Sequence, residues 1–180
     1  MSRILVVDDN EQEVRRPLVR QLGRVFGPDS VLEAENGLEA ISILPLPAED
    51  RIGVIILDVM MPVMDGIAAC QAIRANSICE GVYIIMLTGR DRGLPEGLEA
   101  GADVYLRKPC EIEELIAVVN KGLQEFEKYQ RRMNKEEQLE NRLRQVEEEK
   151  ERSQCANVFV ELPVDMDQPT SWVDITDMIR

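Results

Sequence analysis

Five side chains in this sequence could do chemistry together: the carboxylates of Asp8, Asp9 and Asp58, the hydroxyl of Thr88 and the ammonium of Lys108. Each closes or follows an apolar run: ILVV before Asp8, VIIL before Asp58, YIIML before Thr88, and VYL shortly before Lys108. Carboxylates gathered in one place repel unless a hard cation joins them, and Mg²⁺ prefers oxygen ligands while keeping several waters. An ammonium and a hydroxyl facing them make a place for phosphoryl oxygens. The chemistry that suits the set is phosphoryl transfer onto Asp58, with the metal and Lys108 neutralising charge and positioning doing most of the work. A lone Asp at a strand end is as readily a turn residue. The convergence of five such residues carries the signal.

Convergence requires elements that bring those ends to one edge. The run Val54 to Leu57 is apolar on both faces, as in a central parallel strand covered by helices on both sides. Arg3 to Val7, Ser30 to Ala34, Val82 to Leu87 and Val104 to Leu106 read as four more strands. Between them lie helical patterns. Asn10 with Glu13 makes a capping pair for a helix carrying Val14, Leu18, Leu22 and Val25, with a kink or distortion expected at Pro17. Asn36-Gly37 reads as a turn before a brief helix from Leu38 to Leu44, and Ile67, Cys70, Ile73 and Arg74 suit a third. Gly93, Pro95 and Gly97 make Arg90 to Gly101 poor helix material. Ile112, Leu115, Ile116, Val119 and Leu123 form a long amphipathic face. Five strands alternating with five helices predict a doubly wound parallel sheet. Right-handed crossovers would gather the five chemical residues beyond the carboxyl ends of the strands, where such sheets bind ligands.

The local motifs sharpen this picture. They are VVDDN at 6–10, AENGLEA at 34–40, LDVMMPVMDG at 57–66, Thr88-Gly89 and GADVYLRKP at 101–109. Together they resemble the response-regulator receiver domains of two-component signalling. The resemblance implies the flavodoxin-like strand order 2-1-3-4-5 and Asp58 as phospho-acceptor. It implies a Mg²⁺ site with Asp9 as a direct ligand, Asp8 a ligand through water, and the backbone carbonyl of Met60 contributing alongside Asp58. It makes Thr88 a hydrogen-bond donor to the phosphoryl group, Lys108 its ion-pair partner and Tyr105 the ring that reports the switch. Lys108-Pro109 would be a cis peptide. The sequence departs from the family in a short Thr88 to Lys108 interval, in a long loop from Pro45 to Arg51, and in Cys110 where an aromatic residue commonly stands.

Composition narrows the function classes. With 34 acidic against 21 basic residues and a net charge of −13, the chain suits divalent cations and basic partners. Nucleic acid and an anionic membrane surface are poor partners for it. The absence of histidine removes His-containing zinc sets and His-dependent triads, and the four cysteines show no CxxC spacing. No apolar stretch approaches the roughly 18 residues a membrane span needs, so a cytoplasmic protein is expected.

The receiver-like part is expected at residues 1–124, a charged helical extension at 125–152 and an acidic tail at 153–180. In the extension Phe126, Met133, Leu139, Leu143 and Val146 form an apolar line, though the gap from Met133 to Leu139 breaks a strict heptad. Either a coiled-coil homodimer or a solvated single helix fits. In the tail Val158, Val160, Leu162 and Val164 alternate as a strand would, and Trp172 marks a docking segment. The sequence thus predicts a phospho-acceptor fed by a sensor histidine kinase, signalling through protein contacts of its extension and tail, with no external substrate of its own. Two alternatives are a metal-dependent phosphohydrolase using Asp58, and the receiver fragment of a larger effector protein.

Overall fold

The computed structural model of the chain describes residues 2–44, 50–89 and 100–158. It divides into two units, Met1–Asn134 and Lys135–Arg180. The first unit is built on strands β1 Arg3–Val7, β2 Val31–Ala34, β3 Ile52–Asp58, β4 Tyr83–Thr88 and β5 Val104–Arg107. They form one sheet in the order β2-β1-β3-β4-β5, every pair parallel. The helices are α1 Arg16–Phe26, α2 Gly37–Ile43, α3 Gly66–Arg74 and α4 Ile112–Val158. The doubly wound parallel sheet with a long carboxy-terminal helix is therefore the observed architecture.

Why the strands are apolar throughout is visible in how their alternate residues part. Leu5 and Val7 of β1, Ile55 and Leu57 of β3, and Ile84 and Met86 of β4 join one buried cluster with Ala40, Ala69 and Ile73. Ile4 and Val6, Val54 and Ile56, and Ile85 and Leu87 join the other, with Leu22, Leu115 and Val119. Successive side chains of a strand point to opposite faces, so a strand covered on both faces needs apolar residues at every position. All seven residues of β3 are buried.

Helix starts follow local capping chemistry, with two departures from the sequence reading. The Asn10 side chain accepts from the Glu13 backbone N–H and its own amide donates to Glu13 at 3.0 Å. The turn that follows, Glu11–Arg15, is a π-turn, closed by Arg15 N–H to Asn10 O at 2.9 Å. Helix α1 begins only at Arg16, which leaves Pro17 in its first turn. There the missing N–H costs nothing, so the distortion expected at Pro17 lies ahead of it rather than as a kink within the helix. Val25, expected on the apolar face, is exposed. The second departure concerns Asn36-Gly37, where the free turn is replaced by a cap: Asn36 accepts from Glu39 N–H at 3.0 Å and Gly37 is the first residue of α2.

Several expectations fall outside the described residues: the helix between Arg90 and Gly101, the Pro45 and Pro47 loop, and most of the tail with Val160, Leu162, Val164 and Trp172; Val158, expected to open the tail strand, is instead the last residue of α4. In the second unit, residues 135–153 are helical and every one is exposed. Among the described residues no helix is long and apolar enough to cross a membrane.

Candidate functional site

The parallel order puts β1 and β3 side by side, with β2 on one flank and β4 and β5 on the other. Chain direction therefore switches sides between β1 and β3, and the crevice beyond their carboxyl ends is where a doubly wound sheet binds ligands. Asp8 follows the last residue of β1, Asp58 is the last of β3, Thr88 the last of β4, and Lys108 follows β5. The register Val7 to Leu57, Asp58 to Leu87 and Thr88 to Arg107 aligns these ends in one row.

Lys108 joins the row. Its Nζ stands 2.6 Å from Asp8 Oδ2 and 2.7 Å from Asp58 Oδ1, while its backbone N–H donates to Thr88 O at 2.8 Å. Asp8 is 1% exposed and Asp58 7%, so both carboxylates are shielded from bulk water. At an effective dielectric of about 20, unit charges 4 Å apart interact by about 4 kcal/mol, against a net value of about 1 kcal/mol for an ordinary hydrogen bond. Charge therefore governs this cluster. Burial pushes the Asp58 carboxyl above its ordinary value; Lys108 pulls it back, and the nearby Asp8 and Asp9 charges push it up again. For Lys108 burial acts to lower the ammonium, but Asp58 and Asp8 outweigh it and hold it above its usual value.

Three further neighbours, of which the sequence reading passed over Arg15, hold Asp8 and Asp58 in place. Arg15, itself buried, donates through Nη1 to Asp8 O at 2.5 Å and pairs with Glu33 at 3.3 Å. The Asn10 backbone N–H donates to Asp8 Oδ1 at 2.9 Å. Gly66 lies so close under the acceptor that a Cβ there would sit 2.1 Å from Asp58 O. Only the pairing of Asp65, which caps α3, with a following glycine hinted at this in the sequence. A lone arginine among helical positions gave no signal.

The remaining predicted residues fall around this centre. Asp9 and Met60 are exposed and Thr88 is buried. Tyr105 is half-buried on β5, its hydroxyl donating to Met86 Sδ at 2.7 Å. The Lys108-Pro109 peptide is cis. Beside Lys108 opens a groove of about 450 Å³ lined by Glu13, Pro17, Leu18, Leu87, Pro109 and Cys110.

The expected cage of three close carboxylates takes another form. Among the described residues no three acidic, histidine or cysteine groups surround one point, and the Lys108 ammonium neutralises Asp8 and Asp58 instead. The donor set still fits Mg²⁺: all its atoms are oxygens, Asp9 is open to solvent, and this ion is commonly held by one or two carboxylates with waters completing the octahedron.

A parallel sheet that presents two shielded carboxylates beside an ammonium at its switch point places the chain among doubly wound α/β proteins with a polar site beyond the strand ends. The comparisons with known proteins narrow it to one family. The sequence model of the response regulator receiver domain matches residues 4–120, and the chain belongs to that family. It is 44% identical over 117 residues to response regulator MprA of Mycolicibacterium vanbaalenii, covering 64% of this chain and 47% of that protein. MprA of Mycobacterium tuberculosis matches with the same figures. The chain thus spans about half the length of the curated relatives it matches. Among solved structures, the Vibrio cholerae chemotaxis protein CheY4 is 32% identical at a TM-score of 0.60, covering 68% of this chain and 99% of its own. The BeF3-activated DrrB receiver domain is 30% identical at a TM-score of 0.56, covering 69% and 98%. Receiver domains of this family act in two-component signal transduction, take phosphoryl groups from sensor histidine kinases, generally bind Mg²⁺ to do so, and are generally signalling proteins without a substrate of their own.

Proposed function

We propose that this chain is the phospho-acceptor of a two-component relay, taking a phosphoryl group from a sensor histidine kinase onto Asp58 and signalling through protein contacts of its helical extension and tail. The observation that supports it best is the shared ammonium, 2.6 and 2.7 Å from two buried carboxylates on different strands. In the transfer an Asp58 oxygen attacks phosphorus and the bond from phosphorus to the donor's imidazole nitrogen breaks. The electron pair leaves with that nitrogen. Lys108 exchanges its bond to Asp58 for one to a phosphoryl oxygen, retaining Asp8 as its second partner. The Thr88 hydroxyl donates to another phosphoryl oxygen, and Tyr105 follows that movement as the reporter of the switch. Asp9, Asp8 through a water, Asp58 and the Met60 carbonyl would hold Mg²⁺, which would supply charge neutralisation. The groove beside Lys108 is where the donor approaches, its apolar lining suited to a helix.

Within this reading residues 1–124 form the receiver, 125–152 the extension and 153–180 the docking tail, and the extension brings two copies together. The test is transfer of labelled phosphate from an autophosphorylated histidine kinase to the full chain. Label should appear on the parent protein with Mg²⁺, vanish with a chelator and be absent from Asp58→Asn. Label retained by Asp58→Asn would overturn the assignment. Beryllofluoride, the activator of the DrrB receiver, should likewise bind the parent and not the variant.

A further inference from the structure

The apolar line of the extension is two lines. Phe126 is buried in the receiver core and Tyr129 donates to Glu80 at 2.7 Å, so both are already used in the first unit. Leu139, Leu143 and Val146 belong to the second unit, each more than half exposed. Their spacing of four then three places them on one stripe of a helix, at successive d, a and d positions of a heptad. Met133 falls on the flank of that stripe, which explains the break in spacing: the seam starts after it.

We propose that this stripe pairs with a second copy of itself as a short parallel, in-register coiled coil; the inference rests on the reading of the extension as the place where two copies meet. The flanking charges choose the occupant and the direction. Lys135 and Arg142 occupy g positions, and Glu140 and Glu147 occupy the following e positions. In a parallel pair each g residue faces the e residue of the next heptad on the other helix, so Lys135 meets Glu140 and Arg142 meets Glu147, opposite signs at both places. In an antiparallel pair g faces g and e faces e, which sets cation against cation and Glu140 against Glu147. The parallel register also keeps three all-apolar layers, where the best antiparallel register keeps two. Glu136 and Lys150 occupy the a positions at either end, where like charges of the two copies face one another and bound the seam. A seam this short holds weakly and is sensitive to any single layer.

The test uses the full chain with Cys110 and Cys155 changed to serine, then Leu139→Cys and Val146→Cys separately, with Glu148→Cys as a control on the outer face. Under mild oxidation each seam variant should form a disulfide dimer with itself, and the control should not. Cross-linking only when either seam variant is mixed with Leu143→Cys would establish an antiparallel pair and overturn the proposal, as would equal cross-linking of the control. In sedimentation Leu143→Ser should weaken dimerisation at least about tenfold. The pairs Lys135→Glu with Arg142→Glu, and Glu140→Lys with Glu147→Lys, should each be monomeric alone and form a heterodimer when mixed. Failure of that rescue also overturns it. Binding of beryllofluoride with Mg²⁺ is measured on every variant: loss of dimer with binding intact concerns the seam, whereas a parent that fails to bind concerns the acceptor reading.

Discussion

The two stretches of helix α4 are continuous in backbone and opposite in what makes them helical. Up to Phe126 the helix lays Leu115, Val119 and Phe126 into the core, each 3% exposed or less. From Lys135 to Ser153 no residue is buried. The first stretch is held by tertiary burial, the usual source of helix stability in proteins. The second relies on strong helix formers and on charge pairs four apart such as Glu140 with Arg144 and Glu148 with Arg152. The same contrast separates the Asp8, Asp58 and Lys108 cluster, whose carboxylates are buried, from the extension, whose charges are all solvated. Truncating a side chain should therefore matter greatly in one region and little in the other.

The largest effect belongs to Lys108. Lys108→Ala removes the ammonium shared by Asp8 and Asp58 and, on the proposed reading, a donor to the transferring group, so phosphotransfer to Asp58 should fall by roughly 10²–10³-fold while dimerisation is unchanged. A smaller loss would put the neutralising charge elsewhere. Gly66→Ala should be nearly as damaging to the fold as to transfer, because the added Cβ meets backbone, not a side chain that can swing away. A loss of more than about 3 kcal/mol in urea unfolding is expected.

Next come the two ends of the comparison itself. Phe126→Ala should cost about 3–5 kcal/mol and Leu143→Ala no more than about 0.5 kcal/mol of receiver stability, measured by urea unfolding at a concentration where the chain is monomeric. Equal costs would erase the distinction between the two stretches.

The pH dependence follows from Asp58. Its folded carboxyl titrates above the ordinary value, so the native state holds that proton more tightly than the unfolded chain. Its contribution to stability is full below the ordinary carboxylate range and falls as pH rises through the folded value. Asp58→Asn should therefore raise the Tm of the metal-free protein at pH 7 and flatten its decline above the ordinary carboxylate range. A lower Tm would mean that the pair with Lys108 outweighs burial.

The smallest effect is at Cys70, whose thiol donates to Ala100 O at 3.3 Å and is pushed by burial from 9.0 up to about 11. Its stabilising contribution is whole below pH 9.0 and lost toward pH 11. Cys70→Ala should make the alkaline decline shallower, and alkylation of Cys70 in the folded parent at pH 9 should be slower than in the urea-unfolded chain.

Much of the fold was legible because its cause is local. Short apolar runs rich in β-branched residues and bounded by turn residues suit strands covered on both faces, so β1, β3 and β4 were the most legible, and their alternation with helical patterns pointed to parallel winding. Asp8, Asp58, Thr88 and Lys108 could be placed because a strand's end is marked where its apolar run stops. Capping was half legible: Asn10 with Glu13 announced a helix, but not the π-turn Glu11–Arg15 that leaves Pro17 in the first turn of α1.

What only the tertiary structure decided are contacts between residues far apart in the chain. Sequence gives no measure of the distance from Gly66 to the Asp58 carbonyl, nor that a buried arginine holds the backbone of Asp8. It placed the Lys108 ammonium opposite the carboxylates as a partner for phosphoryl oxygens, and the structure shows that ammonium, a hundred residues from Asp8, paired with the Asp8 carboxylate itself. Periodicity alone could not divide the apolar line of α4, because a helix repeats identically whether its face is buried or bare. Burial against β3, where a Cβ on Gly53 would meet the Phe126 ring, assigns Phe126 to the core, whereas Leu139, Leu143 and Val146 are more than half exposed.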